Sequence, residues 1–224
     1  MPPKKSAPKA VSKPGKSTAS TKKKTAEKKS TPSSSTSKVT EVTKEIGELN
    51  VKDINKVCEV NFKDINHVLL KDEGGPIQTD GRWPYVIDPS PHSMVATFLR
   101  YQNVNYINGL DSIQMQAEPL RRALLAAIRY GKPLVLDMMD TDVFTTCTDK
   151  FNEIHTGLMD DIMSKEIIKN EKYTCLIRGT DGDEYNENRF LDEYKNFKFI
   201  ILSKIEPEKT LKEKTCVIRV VMEN

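Results

Sequence analysis

Residues 117–137 read Ala117-Glu-Pro-Leu-Arg-Arg-Ala-Leu-Leu-Ala-Ala-Ile-Arg-Tyr-Gly-Lys-Pro-Leu-Val-Leu-Asp137. Leu120, Leu124 and Ile128 recur at the spacing of one helical face, Gly131 offers a left-handed stop, and Pro133 keeps the helix from resuming. The run Leu134-Val-Leu-Asp137 then reads as a short strand buried on both faces and closed by an acid. A helix, its stop and a buried strand in immediate succession form the repeating unit of an α/β sheet, and that fold class is the expectation for the whole body.

Working outward, the same alternation continues on both sides. Toward the N-terminus, Pro84-Tyr-Val-Ile-Asp88 reads as a buried strand stopped by Pro89 and Pro91, Ser93 to Tyr101 as a helix, and Val104 to Ile107 as a strand. Toward the C-terminus, Asp149 to Lys169 reads as one amphipathic helix through Phe151, Ile154, Leu158 and Ile162. Tyr173 to Arg178 reads as a strand before the Asp181-Gly182 turn, and Phe197 to Ile205 and Thr215 to Met222 as two more. The expected total is about five strands and four helices around one core, an ordinary content for roughly 180 residues.

Three regions are expected: a tail over 1–40, a helical lead-in over 41–75 and the sheet domain over 76–224. Within the lead-in, Asn50-Val-Lys-Asp-Ile-Asn-Lys-Val57 is echoed by Asn61-Phe-Lys-Asp-Ile-Asn-His-Val68. The offset is close to three helical turns, so Val51, Ile54, Cys58, Phe62, Ile65 and Leu69 fall on one stripe, as expected of one amphipathic helix or two short ones, ended by Gly74-Gly75-Pro76.

The tail is a different polymer. Residues 1–40 are Lys, Ser, Thr, Pro and Ala almost throughout, with no aromatic side chain, and cannot bury enough apolar surface to offset the entropy of ordering; the expectation is disorder. Eleven lysines, among them Lys4, Lys5, Lys9, Lys13, Lys16, Lys22, Lys23, Lys24, Lys28 and Lys29, face the single acid Glu27, a charge of +10; the whole chain is +3, so the remainder carries −7. A cationic arm on a mildly acidic body points to an acidic partner for the arm. No apolar run is long enough for a membrane helix and the N-terminus has no secretory h-region, which reads as a soluble intracellular protein.

The pattern argues against catalysis. A nucleotide-hydrolysing domain needs G-x-x-x-x-G-K-[ST] between its first strand and helix. Gly15-Lys16-Ser17-Thr18 imitates only the end of it, with Ala10 at the first glycine position, and the strand ending at Asp88 runs into Pro-Ser-Pro-His-Ser-Met instead. At Leu134-Val-Leu-Asp137-Met138 the position of a catalytic Glu holds Met138, and Asp137 and Asp140 read as solvated strand-end carboxylates. Asp160-Asp161 and Asp181-Gly-Asp-Glu184 read as helix and turn chemistry, not a calcium loop. Cys58, Cys147, Cys175 and Cys216 lack metal or disulfide spacing and read as buried or half-buried thiols. His67, His92 and His155 sit in unrelated contexts, without a nucleophile in a glycine-flanked turn. No catalytic residue, cofactor or metal is expected.

Gly81-Arg-Trp-Pro-Tyr-Val-Ile-Asp-Pro89 resembles the opening of the fifth AAA module of dynein heavy chains. The likeness runs on in order through Phe98-Leu-Arg-Tyr101, Tyr130-Gly-Lys-Pro-Leu-Val-Leu136, Tyr173-Thr-Cys-Leu-Ile-Arg178 with Glu184-Tyr185, Phe197-Lys-Phe-Ile-Ile-Leu-Ser-Lys204 and Cys216-Val-Ile-Arg-Val220. A similar stretch ends ciliary proteins with an IQ motif and ankyrin repeats. Trp83, Pro84, Asp88, Pro89, Tyr130, Gly131, Pro133 and Tyr185 carry this signature. The resemblance implies a single AAA-like, P-loop-derived domain that lacks its phosphate loop, serves a structural role and does not hydrolyse nucleotide. The expected function is docking on the ciliary or flagellar axoneme, with tubulin or dynein-associated proteins as partners. The alternative is a nuclear protein whose tail binds nucleic-acid backbone by counterion release.

Overall fold

The computed structural model describes residues 56–71, 74–186 and 192–222. The tail over 1–40 with its ten named lysines, and residues 41–55 of the lead-in, lie outside the described residues.

Six strands form one parallel sheet: β1 (Cys58–Asn61), β2 (Trp83–Ile87), β3 (Asn105–Asn108), β4 (Pro133–Asp137), β5 (Lys198–Ser203) and β6 (Thr215–Val221). Their order is β1-β6-β2-β5-β4-β3, so β2 lies between the last two strands of the chain. Helices connect them: α1 (Pro76–Asp80), α2 (Met94–Arg100), α3 (Ala117–Arg129), α4 (Phe144–Ile154), α5 (Leu158–Met163), α6 (Glu166–Lys169) and α7 (Lys209–Lys214).

Alternation along each strand divides the apolar side chains between two cores, as a sheet covered on both faces requires. Trp83, Tyr85, Leu136, Phe199, Ile201 and Val217 meet α3 to α6 through Leu120, Leu124, Ile128, Phe151, Leu158, Ile162 and Ile167. Val86, Val135, Ile200, Leu202, Ile218 and Val220 meet Val95 and Leu99 of α2, with Ile65, Leu69 and Ile77. Pro84 is tolerated in a central strand because the ladder to β5 starts only at Tyr85, opposite Ile201, so at Pro84 the strand has β6 alone beside it.

The structure corrects three expectations about the elements of the fold. Cys58 does not sit on a helical stripe: Cys58–Asn61 is an edge strand in register with Ile218–Val221, so the sheet domain begins well before residue 76. Pairing with the outer edge of β6 and burial of Val60 outweigh helical spacing here. The chain turns helical only after Asn61, whose side chain accepts the Lys63 N–H at 2.9 Å. Tyr173 to Arg178 is not a strand but a 3-10 helix over Lys172–Leu176; Tyr173 and Leu176, three residues apart, are its buried pair. The long helix over 149–169 is cut into α4, α5 and α6 by an extended His155 and by left-handed Gly157 and Lys165. Of the thiols, Cys147 and Cys216 are buried and Cys58 is half-buried, as expected, whereas Cys175 departs from that reading and is exposed.

The segment from Lys172 to Tyr185 is tied to α3 by one buried cation. Arg121 is 1 % exposed; its guanidinium donates to Glu118, to both oxygens of Asp181 and to the Leu176 carbonyl at 2.6 to 3.0 Å. Those bonds hold the carboxyls of Asp181 and Glu118 down to about 2. Folded values below the unfolded ones, near about 4, mean stability that is complete above about pH 4 and lost as pH falls toward about 2. Asp181, the more buried of the two, sets most of it, since Glu118 is 40 % exposed and screened by water. The melting temperature followed by near-ultraviolet circular dichroism should drop across that window, and Asp181→Asn should start lower at neutral pH and flatten the drop. An unchanged pH profile in Asp181→Asn would place the acid sensitivity elsewhere.

Candidate functional site

In a parallel α/β sheet, ligands gather at the carboxyl ends of the strands. That end is filled by the chain itself. Asp88, directly after β2, is 2 % exposed; one carboxylate oxygen accepts the Ser90 N–H at 3.0 Å and the other the Val95 N–H at 2.9 Å. Ser90 Oγ accepts the Met94 N–H at 2.9 Å. The first amides of α2, which in a phosphate-binding domain point at the ligand, are therefore spent on an internal carboxylate and hydroxyl.

The neighbouring strand ends are laced together above this point. Asp88 N–H donates to the Ser203 carbonyl at 2.9 Å, Met138 N–H to Leu202 at 2.8 Å and Lys204 N–H to Met139 at 2.7 Å. Met139 takes a left-handed φ of 57°, which turns its carbonyl toward β5, where Ser203 Oγ also donates to it at 3.2 Å. The space left between Asp88, Ser93, Asp137 and Lys204 is about 10 Å³, no more than about one water. The site does not fit a nucleotide.

Asp137 departs from its sequence reading as a solvated carboxylate: it is 2 % exposed. The Tyr106 hydroxyl donates to one of its oxygens, the Met139 N–H donates to the other at 2.9 Å, and Arg100 lies 3.9 Å away. Arg100 also stacks on the Tyr106 ring at 4.8 Å. Burial, then the bond to Asp137, push the Tyr106 hydroxyl far above its usual range. This acid is consumed in holding β3 to β4, and Asp181 is consumed by Arg121. Among the described residues no three His, Cys, Asp or Glu converge as metal ligands, and no helix is long and apolar enough to cross a membrane.

The signature residues separate into two groups. Asp88 and the exposed Pro89 belong to the filled carboxyl end. Trp83, Gly131 and Pro133 meet at the opposite, amino end of the sheet. There the Trp83 indole N–H donates to the Ile162 carbonyl at 2.6 Å and its ring stands edge-on to Phe197 at 6.0 Å. Pro84 is buried one residue further along β2. Exposed Tyr130 is flanked by Arg129 and Lys132, each 5.5 Å from its ring, and Arg129 ties it to the turn holding Tyr185 by donating to the Glu184 carbonyl at 2.8 Å. Sequence reading missed Arg100, Tyr106 and Arg121, because a cation or phenol inside an amphipathic pattern looks like a solvated residue until its partner across the fold is known. No known protein-family model matches this chain.

Proposed function

We propose that this protein is a non-catalytic docking protein of the ciliary or flagellar axoneme: a degenerate AAA-like body for protein contacts, and a lysine-rich tail held on an acidic surface such as that of tubulin. The observation that carries the reading is Asp88. A carboxylate caps the helix whose amides would otherwise receive phosphate, in a crevice too small for a ligand, and this supports a body that works without nucleotide. The parallel sheet with β2 at its centre and helices on both faces is compatible with a P-loop-derived module, and the signature from Gly81 to Val220 supports the dynein-type assignment. The tail supports the acidic partner: eleven lysines against one acid give an attraction that is strong at low salt and fades as the Debye length shrinks to about 10 Å near 0.1 M.

Co-pelleting with microtubules at low ionic strength is the test. The full chain should sediment with them, and the chain lacking residues 1–40 should lose most of that binding; equal pelleting of both removes the tail from the mechanism. Tagged full-length protein should stay on detergent-extracted axonemes in a ciliated cell, whereas accumulation in the nucleus would favour backbone binding to nucleic acid instead.

A further inference from the structure

An open cavity lies at the amino end of the sheet. It measures about 540 Å³, within the roughly 300–1,000 Å³ range of ligand sites. Its floor is apolar, from Ile77, Trp83, Ile168 and Phe197, and five lysines stand around it: Lys71, Lys165, Lys169, Lys195 and Lys198. Among the described residues that line it there is no Asp or Glu. In a body whose sequence carries −7 outside the tail, this is a local reversal of charge.

The lysines are differently held. Lys165, in a left-handed conformation, sets its ammonium 4.0 Å from the centre of the Trp83 ring. Lys198 donates to the Leu70 carbonyl at 2.9 Å, and Lys195 pairs with Asp192 at 2.6 Å. Lys71 and Lys169 are exposed and make no ion pair among the described residues.

We propose that this cavity docks an acidic peptide segment of a partner protein, one apolar side chain entering the floor between carboxylates that meet the lysines. Charge complementarity selects an anion, and the floor selects one with an apolar anchor. A peptide is favoured over a phosphate ligand because the described residues of the lining include no arginine fork and only short helices, the two devices that fix phosphate geometry; separate lysine point charges suit carboxylates spread along a chain. The cavity adds a defined orientation to the unspecific attraction of the lysine-rich tail, and the inference holds whether or not the axonemal setting does.

Trp83 is the only tryptophan of the chain, so its emission reports on the floor while the tail stays silent. Titrating the full-length protein with the blocked peptide Glu-Glu-Glu-Leu-Glu-Glu-Glu at low salt should give a saturable change. The doubly reversed variant Lys71→Glu/Lys169→Glu should weaken it by about tenfold or more, exposed positions that leave the melting curve intact. Reversing Lys209 and Lys212 on α7 should leave it within about twofold, and replacing the peptide's leucine by serine should weaken it several-fold. No saturable change, an equal loss in the α7 control, or displacement of the peptide by equimolar pyrophosphate would overturn the proposal, the last in favour of a phosphate ligand.

Discussion

Replacing Arg121 by methionine should lower the unfolding free energy by roughly 3–5 kcal/mol, the range for breaking one partner out of a buried ion pair. Methionine keeps most of the aliphatic volume, so the loss isolates the guanidinium. Asp181, with its side chain 5 % exposed, would be left as a charge without its counter-ion, and the Leu176 carbonyl would lose a 2.6 Å bond. For a body of this size the melting temperature should fall by roughly 6–20 °C. The double variant Arg121→Met/Asp181→Asn should recover more than half of that loss, because the cost lies in the orphaned charge more than in the missing pair. A fall below about 3 °C in the single variant would mean that water replaces the guanidinium and that the cluster is not dry.

Gly131→Ala is expected to be nearly as damaging, at roughly 2–5 kcal/mol, for two separable reasons. Its φ of +59° costs any side chain, and an added Cβ would stand 2.1 Å from the Glu193 carbonyl oxygen. That oxygen belongs to backbone in the 3-10 turn Asp192–Asn196, so relief requires moving the turn that carries Tyr194 against Tyr173, rings 5.2 Å apart. Gly81→Ala provides the control: φ is +80°, yet nothing lies within 4 Å of the added carbon, so only conformational strain of about 1–2 kcal/mol remains. Equal losses in the two variants, measured by denaturant unfolding, would show that the contact with Glu193 relaxes freely.

Much of this architecture can be read without coordinates, and the failures have a common cause. The helix, stop and strand from Ala117 to Asp137 are local: spacing, a positive-φ glycine and a proline decide them, and the structure agrees to within a residue. Cys58–Asn61 and Lys172–Leu176 are decided by distant partners, β6 in one case and α3 in the other, and no window of neighbouring residues contains that information. The filled crevice was half legible. The missing glycines after β2 show that a phosphate loop is absent, but that Asp88 turns back to cap α2 depends on Ser90 and Val95 being brought within reach. The lysine cavity was invisible, because its five cations come from three separate stretches between Lys71 and Lys198 and each alone resembles a solvated surface residue.

The placement of β2 also sets a schedule for synthesis. β2 is complete by Ile87, yet its two neighbours are β5 and β6, which end at Ser203 and Val221, and β1 waits for the same last strand, Cys58 facing Ile218. Only β3 and β4 can pair early, within Asn105–Asp137. On the ribosome the centre of the sheet must therefore stay open, its apolar edges exposed, until β5 and β6 have emerged. A nascent chain stalled before β6 would carry Trp83–Ile87 unpartnered on one side, a target for chaperones or for pairing with another such chain.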